Sequence, residues 1–370
     1  MDIVIIRENE EDLYAGIEHR QTDEVYQCLK LITRPGSEKI IRYAFEFARA
    51  NGRKKVTCFM KDNIMKLTDG LFHKVFDEIA AEYPDIENES WIVDIGAAKM
   101  ASTPENFDVI VLENLYGDIL SDVAAMMTGS VGLAGSSNIG EHCSMFEAIH
   151  GSAPRHAGQD KANPSGLLLG AVLMLIHIKQ FDVATKVHNA FLKTLEDGIH
   201  TYDLYKEGLS KKKVGTNEYA EAIIARLGQK PTTLKAVNYQ ASDTNVVETK
   251  KHKETVRAKK ELVGIDVFID WKKGSADELG DSIKDVQTKN LKLLMISNRG
   301  TKVWPDGLPE TFITDHWRCR YLHPEKGTVV HNSDVIELLD AINKAGFDFI
   351  KTEHLYNFDG EAGYSLAQGQ

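Results

Sequence analysis

The sequence predicts an α/β protein: a layered sheet with helices, followed by a small βαββαβ ferredoxin-like domain. Apolar strand-like runs alternate with helical stretches in the first half of the chain, a polar segment without apolar periodicity follows, and a second, shorter set of strands and helices ends the chain. Such alternation is typical of layers with parallel strand pairing. We therefore expect an α/β domain over residues 1–228, a linker over 229–260 and a C-terminal α/β domain over 261–370.

The first domain alternates strands and helices in order along the chain. We expect strands at residues 2–7, 55–59, 91–94 and 107–112, helices at 37–51 and 70–83, and a mainly helical region from 166 to about 227. The run at residues 2–7 is unusual, because a buried parallel strand needs neighbours on both sides and here nothing precedes it.

The C-terminal domain follows a polar linker. The basic cluster Lys250-Lys251-His252-Lys253 is interpreted as part of a solvated spacer rather than a ligand site. Beyond it, strands are expected at 263–269, 291–296, 316–322 and 347–355, with helices at 275–286 and 333–345, the second capped by Ser333. The order βαββαβ is typical of a ferredoxin-like sandwich. No catalytic motif marks this domain, so we expect it to self-associate or to dock on a partner subunit, with ligand sensing as the alternative.

Composition excludes several functional classes. With 44 Lys and Arg against 55 Asp and Glu, the 370-residue chain carries a net charge of −11, which argues against nucleic acid as its main partner. The most apolar run, residues 166–178, is too short to span a membrane. The cysteines lie far apart and form no C-x-x-C pair, which excludes a disulfide scaffold and a thiolate zinc site and favours the cytoplasm: Cys28, Cys58, Cys143 and Cys319.

The densest chemical signal is the segment NLYGDILSD at residues 114–122, which follows an apolar strand and opens a helix. Asp118 and Asp122 are four residues apart and therefore share one helical face. Two carboxylates on one face repel each other unless positive charge lies between them, and Mg²⁺ or Mn²⁺ with its preference for oxygen ligands meets that need. Asp94, at the end of another strand, is a plausible third ligand. The alternative is that Asp118 caps the helix and Asp122 is solvated.

A second signal is the segment HGSAPRHAGQ at residues 150–159. Small residues allow backbone amides to approach a ligand closely, and Arg155 and His156 add donors that suit a phosphate. No G-x-G-x-x-G follows a strand, so this is not an ordinary Rossmann site. The alternative is a plain surface loop.

Three further residues follow or lie near strand ends. Arg7 is placed to grip a carboxylate bidentately, Tyr14 to donate a proton, and Lys61 to act as a base. Each has a structural alternative: an ion pair for Arg7, a core position for Tyr14 and a solvated surface position for Lys61. Strand ends are, however, where open α/β sheets place their ligand sites, and all these signals meet there.

Four strings carry a resemblance to a known family: RENEEDLYAGIEH, KDNIMKLTDG, NLYGDILSD and FEAIHGSAPRHAGQDKANPSG. They resemble the metal-dependent β-decarboxylating dehydrogenases, and most closely the isocitrate dehydrogenases of the long bacterial subgroup with an extra C-terminal domain. The resemblance covers nearly the whole chain. It implies an isocitrate/isopropylmalate dehydrogenase-like layered sheet and oxidative decarboxylation of isocitrate to 2-oxoglutarate with NADP and Mg²⁺ or Mn²⁺.

The resemblance also implies roles for individual residues. Arg7 binds a substrate carboxylate, Tyr14 protonates the enol after decarboxylation with Lys61 taking part in the proton transfer, and Asp94, Asp118 and Asp122 hold the metal. Around the coenzyme, it implies that His150, Gly151, Ser152 and Ala153 line NADP, that Asn163 reads adenine, and that Arg155, His156, Tyr202 and Lys206 surround the 2′-phosphate.

The family forms homodimers, so the resemblance implies that Lys61 and Asp94 reach into the partner's active site. It also implies an N-terminal segment, on the order of a hundred residues, that this chain lacks and that normally contributes to the substrate and coenzyme pockets. Two alternatives stay open: a sister enzyme acting on isopropylmalate, homoisocitrate or tartrate, and a non-catalytic regulatory subunit.

Overall fold

A parallel sheet organises the first part of the chain in the computed structural model, which describes residues 1–140, 142–240, 257–325 and 327–367. The elements of this region are β1 (Val4–Arg7), β2 (Glu18–Arg20), β3 (Tyr26–Cys28), α1 (Arg34–Ala50), β4 (Lys55–Met60), α2 (Thr68–Ala80), β5 (Glu87–Ile92), α3 (Val93–Ser102), β6 (Val109–Leu112) and α4 (Asn114–Met127). The sheet has four strands in the order β1-β6-β4-β5, and all its strand pairs are parallel.

Helices cover the parallel sheet because its central strands, β4 and β6, are buried on both sides. β6 is buried along its whole length, as expected for a central strand of a parallel sheet. Ile110 and Leu112 pack with Phe59, Met100 and Leu120 in one core cluster. Since side chains alternate along a strand, the other residues of β6 face the opposite side of the sheet.

The middle of the chain is mainly helical. It contains β7 (Gly135–Ile139), β8 (Ser144–Ala148), α5 (Ser165–His177), α6 (Phe181–Glu196), β9 (Ile199–His200), β10 (Lys212–Lys213) and α7 (Thr216–Ile224). The hairpin β7–β8 packs closely on α5: a Cβ added at Gly170 would lie 2.7 Å from the Glu147 carbonyl oxygen. Glycine is therefore required where this helix meets the hairpin.

Part of the expected linker packs against α6. The backbone N–H groups of Thr232, Thr233 and Leu234 donate to the Glu196 carboxylate at 2.6–3.0 Å, and Val237 exchanges hydrogen bonds with Asn189. The four residues of the basic cluster, Lys250-Lys251-His252-Lys253, lie outside the described residues.

The C-terminal region contains β11 (Lys260–Asp270), α8 (Ala276–Ile283), β12 (Lys292–Asn298), β13 (Thr301–Trp304), β14 (His316–Leu322), α9 (Asn332–Lys344), β15 (Asp348–Phe358) and β16 (Glu361–Ala362). Its strands form a six-stranded antiparallel sheet in the order β13-β12-β14-β11-β15-β16. The expected βαββαβ order is confirmed, with β13 and β16 added as short edge strands. Ile265, Val267 and Ile269 of β11 form a core with Leu279 of α8 and Leu338 of α9.

The chain divides into two compact units that are discontinuous in sequence. The first unit comprises residues 1–10, 33–61 and the described residues from 72 to 240. The second unit comprises residues 11–32, 62–71 and the described residues from 257 to 367. None of the helices formed by described residues is long and apolar enough to cross a membrane.

Candidate active site

The carboxyl ends of the parallel strands in the first unit carry the charged candidate residues. Arg7 ends β1, Lys61 follows β4, Asp94 follows β5, and α4 begins two residues after β6. Parallel strands end at the same edge of a sheet, so the sequence places these groups at one edge, where such sheets bind ligands.

Arg7 is held by the first turns of α4. Its Nη1 donates to Asp118 Oδ1 at 2.6 Å, and its Nε and Nη2 donate to Asn114 Oδ1 at 3.1 and 2.7 Å. A Cβ added at Gly117 would lie 2.5 Å from Arg7 Cγ, so the helix approaches the arginine closely because residue 117 is a glycine. Arg7 is therefore fixed in direction while its side chain stays 28% exposed.

Asp118 is not a helix cap. Helix α4 begins at Asn114, with Glu113 as its N-cap residue, so Asp118 lies in the second turn. Asp122 follows one turn later and is exposed. The two carboxylates share a helical face, as the spacing predicts, and the ion pair with Arg7 provides the positive charge that Asp118 needs in this structure.

Asp94 lies in the first turn of α3 and not on a strand, because β5 ends at Ile92. Lys61 Nζ donates to Asp94 Oδ2 at 2.8 Å. This hydrogen bond, together with one from the Ile95 N–H, lowers the pKa of the Asp94 carboxyl. Lys61 is therefore part of a direct ion pair with one of the candidate metal ligands.

The three candidate metal ligands lie on two helices, Asp94 on α3 and both Asp118 and Asp122 on α4. Among the residues that the structure describes, no group of three or more His, Cys, Asp or Glu side chains is arranged to hold a metal ion. Asp94, Asp118 and Asp122 therefore stay a prediction for the metal ligands, in which Asp94 serves the site of a partner subunit.

Tyr14 belongs to the second unit. It lies on a 3₁₀ turn formed by Asp12–Ala15, and its side chain is 51% exposed. The turn is closed by Gly16, and Asp12 at its start has a φ of 67°, a conformation that non-glycine residues rarely adopt. Asp12 itself is buried. A core position for Tyr14, the alternative considered from the sequence, is therefore excluded.

The loop after β8 is open to solvent. His150, Gly151, Ser152 and Ala153 are exposed, and the ring Nδ1 of His150 lies 3.0 Å from the Gly151 carbonyl oxygen. Ala153 has a φ of 43° and precedes a short 3₁₀ turn formed by Pro154–His156. The loop therefore presents its backbone and its small side chains to solvent rather than to the core.

An aromatic and cationic cluster lies beside this loop. The rings of His156 and Tyr202 meet edge to face with their centroids 5.4 Å apart. Lys161 Nζ lies 4.5 Å from the centroid of the Tyr202 ring. Lys161 was not singled out from the sequence, because a lone lysine in a polar loop carries no signal of its own. Arg155 and Lys206 are exposed.

Asp203 connects three segments around this cluster. Its Oδ2 accepts hydrogen bonds from Ser130 Oγ and from Asn163 Nδ2, the latter at 2.9 Å, and its Oδ1 accepts from Thr201 Oγ1 at 2.6 Å. Burial disfavours the charged form of Asp203, but these donors outweigh it and lower the pKa of the carboxyl. Sequence reasoning missed this residue, because Ser130 and Asn163 are 73 and 40 residues away.

Asn163 is buried, and its side chain is used internally. Its Nδ2 donates to Asp203, and its Oδ1 accepts from the Ser165 N–H at 3.0 Å. Only 7% of the residue is exposed. A ligand at Asn163 would therefore meet its backbone and not its amide side chain.

Two sequence models of protein families match the chain. The family described as isocitrate/isopropylmalate dehydrogenase matches residues 1–223, and the one described as the C-terminal domain of bacterial isocitrate dehydrogenase matches residues 260–370.

Individual relatives match over the whole chain. The "Isocitrate dehydrogenase [NADP]" of Rickettsia bellii is 55% identical over 370 residues, which are 100% of this chain and 76% of that protein. The protein of the same name from Thermus thermophilus is 43% identical over 374 residues, covering 100% of this chain and 74% of that protein. A crystal structure of a protein from Thermus thermophilus is similar with a TM-score of 0.88 and 42% identity, covering 99% of this chain and 73% of that one.

Proposed function

The chain belongs to the isocitrate/isopropylmalate dehydrogenase family, and we propose that it is an oxidoreductase that converts isocitrate to 2-oxoglutarate and CO₂ with reduction of NADP. The observation that carries this proposal is the 55% identity over all 370 residues to an NADP isocitrate dehydrogenase. The match of the C-terminal region to a domain of bacterial isocitrate dehydrogenases favours isocitrate over isopropylmalate, homoisocitrate or tartrate. The same matched ranges support our division into a catalytic domain (1–228), a linker (229–260) and a C-terminal domain (261–370).

For substrate binding we propose Arg7. Its guanidinium is oriented by Asn114 and Asp118 and remains partly exposed, so it can form charge-assisted hydrogen bonds with a carboxylate of isocitrate. The close approach of Gly117 fixes the side chain before the substrate arrives, which reduces the entropy lost on binding.

For the metal we propose Asp118 and Asp122 of one subunit and Asp94 of the other. Their carboxylate oxygens are the donors that Mg²⁺ and Mn²⁺ prefer. Asp118 and Asp94 are each paired with a cationic side chain here, Arg7 and Lys61, so both positions already accommodate positive charge. The donor set therefore fits a divalent cation.

When bound, the cation supplies positive charge beside the substrate's hydroxyl oxygen, and NADP supplies the hydride acceptor. The chain's own residues bind and orient the substrate and transfer protons to and from it. Arg7 orients a carboxylate of the substrate, and the Tyr14 hydroxyl returns a proton to the carbon that has lost CO₂. Lys61, whose Nζ is hydrogen-bonded to Asp94, takes part in this proton transfer.

For NADP we propose the loop from His150 to Ala153 together with the neighbouring cluster. The open loop fits a coenzyme because its backbone is accessible, and Asn163 would read adenine through its backbone. Around the 2′-phosphate we propose the cationic, imidazole and phenol side chains of Arg155, His156, Tyr202 and Lys206. Cations and hydrogen-bond donors are the groups that select a phosphate over a free ribose hydroxyl.

We further propose a homodimer with shared active sites in the cytoplasm. Asp94 and Lys61 form an ion pair with each other, which fits a role for the two residues together at the partner's site. Four free cysteines fit a reducing compartment.

The test is the formation of NADPH by the purified chain with isocitrate and Mg²⁺ or Mn²⁺. Isopropylmalate, homoisocitrate and tartrate serve as competing substrates, NAD as the competing coenzyme, and Tyr14→Phe as the catalytic control. We expect turnover with isocitrate and NADP that a metal chelator abolishes. Turnover only with another substrate would assign a sister enzyme, and ligand binding without any turnover would assign a regulatory subunit.

A further inference from the structure

Residues 11–32 form a two-stranded arm in the second unit, here called the Tyr14 arm. Its two halves are joined along their length: Asp12 N–H donates to the Leu31 carbonyl oxygen at 2.9 Å, β2 and β3 pair from Glu18 to Arg20, and Gln21 N–H donates to the Val25 carbonyl oxygen. Tyr14 lies at the base of the arm, and the turn at residues 21–25 forms its tip.

The base of the arm is held by a partly buried lysine. Lys30 Nζ lies 2.7 Å from Asp69 Oδ1 and 3.8 Å from Asp12 Oδ1. Both aspartates are at most 1% exposed, so the ion pairs are shielded from water. Asp12 is the first residue of the turn that carries Tyr14, and this contact fixes the turn from one side.

The tip of the arm is held by the C-terminal domain. Thr22 Oγ1 donates to Asp315 Oδ1 at 2.5 Å, and the Asp315 N–H donates to Glu24 Oε2 at 2.9 Å. Thr22 and Asp315 are 5% and 4% exposed. A hydrogen bond between such buried partners is costly to break, because a buried carboxylate that loses its donor is not hydrated in its place.

Two lysines of the same domain extend the contact. Lys272 Nζ lies 2.6 Å from Asp23 Oδ2 and 3.3 Å from Asp315 Oδ2, so it bridges the arm tip and the buried carboxylate. Lys351 Nζ donates to Gln27 Oε1 at 3.1 Å on β3. The arm is therefore tied to the C-terminal domain at its tip and at β3.

We propose that the C-terminal domain positions Tyr14 for proton return by gripping the tip of the Tyr14 arm through Asp315. A two-stranded ribbon alone is only marginally stable in water, so an arm anchored at its base alone would leave the tyrosine poorly placed. Thr22 and Asp315 act on the reaction only through the placement of Tyr14, so we class them as positioning residues. The inference rests on the proposed function, because it takes Tyr14 as the proton donor.

The test compares Thr22→Val, which removes the hydroxyl but keeps the shape, with Thr22→Ser, which keeps the hydroxyl. Thr301→Val on β13 is the matched control, because Thr301 takes no part in the contacts above. In the purified protein we expect Thr22→Val to lower kcat by roughly ten- to a hundredfold, as misplacement of a reacting group does. We expect KM for NADP to be unchanged and the solvent deuterium isotope effect on kcat to rise, because proton return becomes limiting. Thr22→Ser and Thr301→Val should retain kcat.

Several outcomes would overturn the inference. The first is a Thr22→Val protein with unchanged kcat and isotope effect, and the second is a Thr22→Val protein in which only the melting temperature falls. The third is a Thr22→Ser protein that loses as much kcat as Thr22→Val. If Thr22→Val fails to fold, the exposed bridge is tested instead with Lys272→Gln, for which a smaller change in the same direction is expected and an unchanged isotope effect contradicts the proposal. Full activity of Tyr14→Phe would refute the catalytic role of Tyr14, separately from the role of the arm contact.

Discussion

Single side chains that follow strand ends were the most predictable part of the site. Arg7, Lys61 and Asp118 stand out in the sequence because each follows an apolar run, and the structure pairs Arg7 with Asp118 and Lys61 with Asp94. Asp203 and Lys161 were not predictable, because their partners come from distant segments or from a ring contact that only the folded loop creates. A carboxylate with remote donors leaves no pattern in one sequence.

Asp118→Asn tests the metal assignment. The substitution removes one anionic ligand and weakens the ion pair with Arg7, so we expect activity to collapse while the melting temperature stays close to that of the unmodified protein. Mn²⁺ affinity, measured by titration calorimetry, should fall clearly. An unchanged Mn²⁺ affinity would contradict the assignment.

Asp203→Asn tests the hydrogen bonds by which Asp203 connects three segments near the proposed coenzyme site. An amide cannot accept from Ser130, Asn163 and Thr201 at once, so KM for NADP should rise while kcat is largely kept. Loss of these charge-assisted hydrogen bonds should lower the free energy of unfolding by about 1–3 kcal/mol at neutral pH.

The contribution of Asp203 to the free energy of unfolding depends on pH in a defined direction. The folded-state pKa of Asp203 lies below its ordinary value of 3.8, so its stabilising contribution is present above that pH and is lost as the pH falls through the folded-state pKa. The difference in melting temperature between the two proteins should therefore shrink as the pH falls below 3.8. If the difference in melting temperature stayed constant with pH, the charge of the Asp203 carboxylate would not contribute to stability.

Arg155→Asp tests coenzyme choice. An acid repels the 2′-phosphate and can pair with the free ribose hydroxyl of NAD, so KM for NADP should rise roughly ten- to a hundredfold while NAD use improves. Lys230→Asp is the control, because it makes the same change in charge at an exposed position outside the loop. Equal use of both coenzymes by the unmodified protein would count against the assignment.

The elements themselves follow the apolar periodicity of the sequence closely, while their ends do not. The strand expected to end at Asp94 ends at Ile92, because the backbone turns into α3 at Val93. Ser333 is not the cap of α9: the helix starts one residue earlier, at Asn332, and the Asp334 carboxylate accepts a hydrogen bond from the N–H of the N-cap residue His331. Several polar residues near a helix start compete for the same backbone groups, so periodicity locates the helix but not its first residue.

Gly117→Ala tests the fit between β1 and α4. The added methyl group would lie 2.8 Å from Arg7 Cβ and 2.5 Å from Arg7 Cγ, so the arginine or the helix must shift. We expect KM for isocitrate to rise and the ion pair between Arg7 and Asp118 to weaken. Gly70→Ala in the first turn of α2 is the control, because nothing lies within 4 Å of its added Cβ, and it should leave KM unchanged. Equal effects of the two substitutions would contradict a specific role for Gly117.

For the whole molecule, the proposed sharing of active sites between two subunits makes a prediction for mixed dimers. Asp118→Asn and Asp94→Asn should each be inactive alone. Co-expressed, they should recover roughly a quarter of the activity, because half of randomly paired dimers are mixed and each mixed dimer has one intact site. Activity of co-purified, differently tagged chains is the measurement. No recovery in a confirmed mixed dimer would place Asp94 in its own chain's site.

The contact at the tip of the Tyr14 arm joins two residues that are far apart in the sequence, and this distance bears on how the protein is made. Thr22 and Asp315 are 293 residues apart. At the pace of a ribosome, the arm emerges about 15 to 60 seconds before the residue that holds its tip is synthesised. Under this proposal, a growing chain carries Tyr14 on an arm whose tip is unsecured until Asp315 has been translated. A chain released before that point would lack the contact, so the distant pairing couples the placement of Tyr14 to synthesis of the C-terminal region.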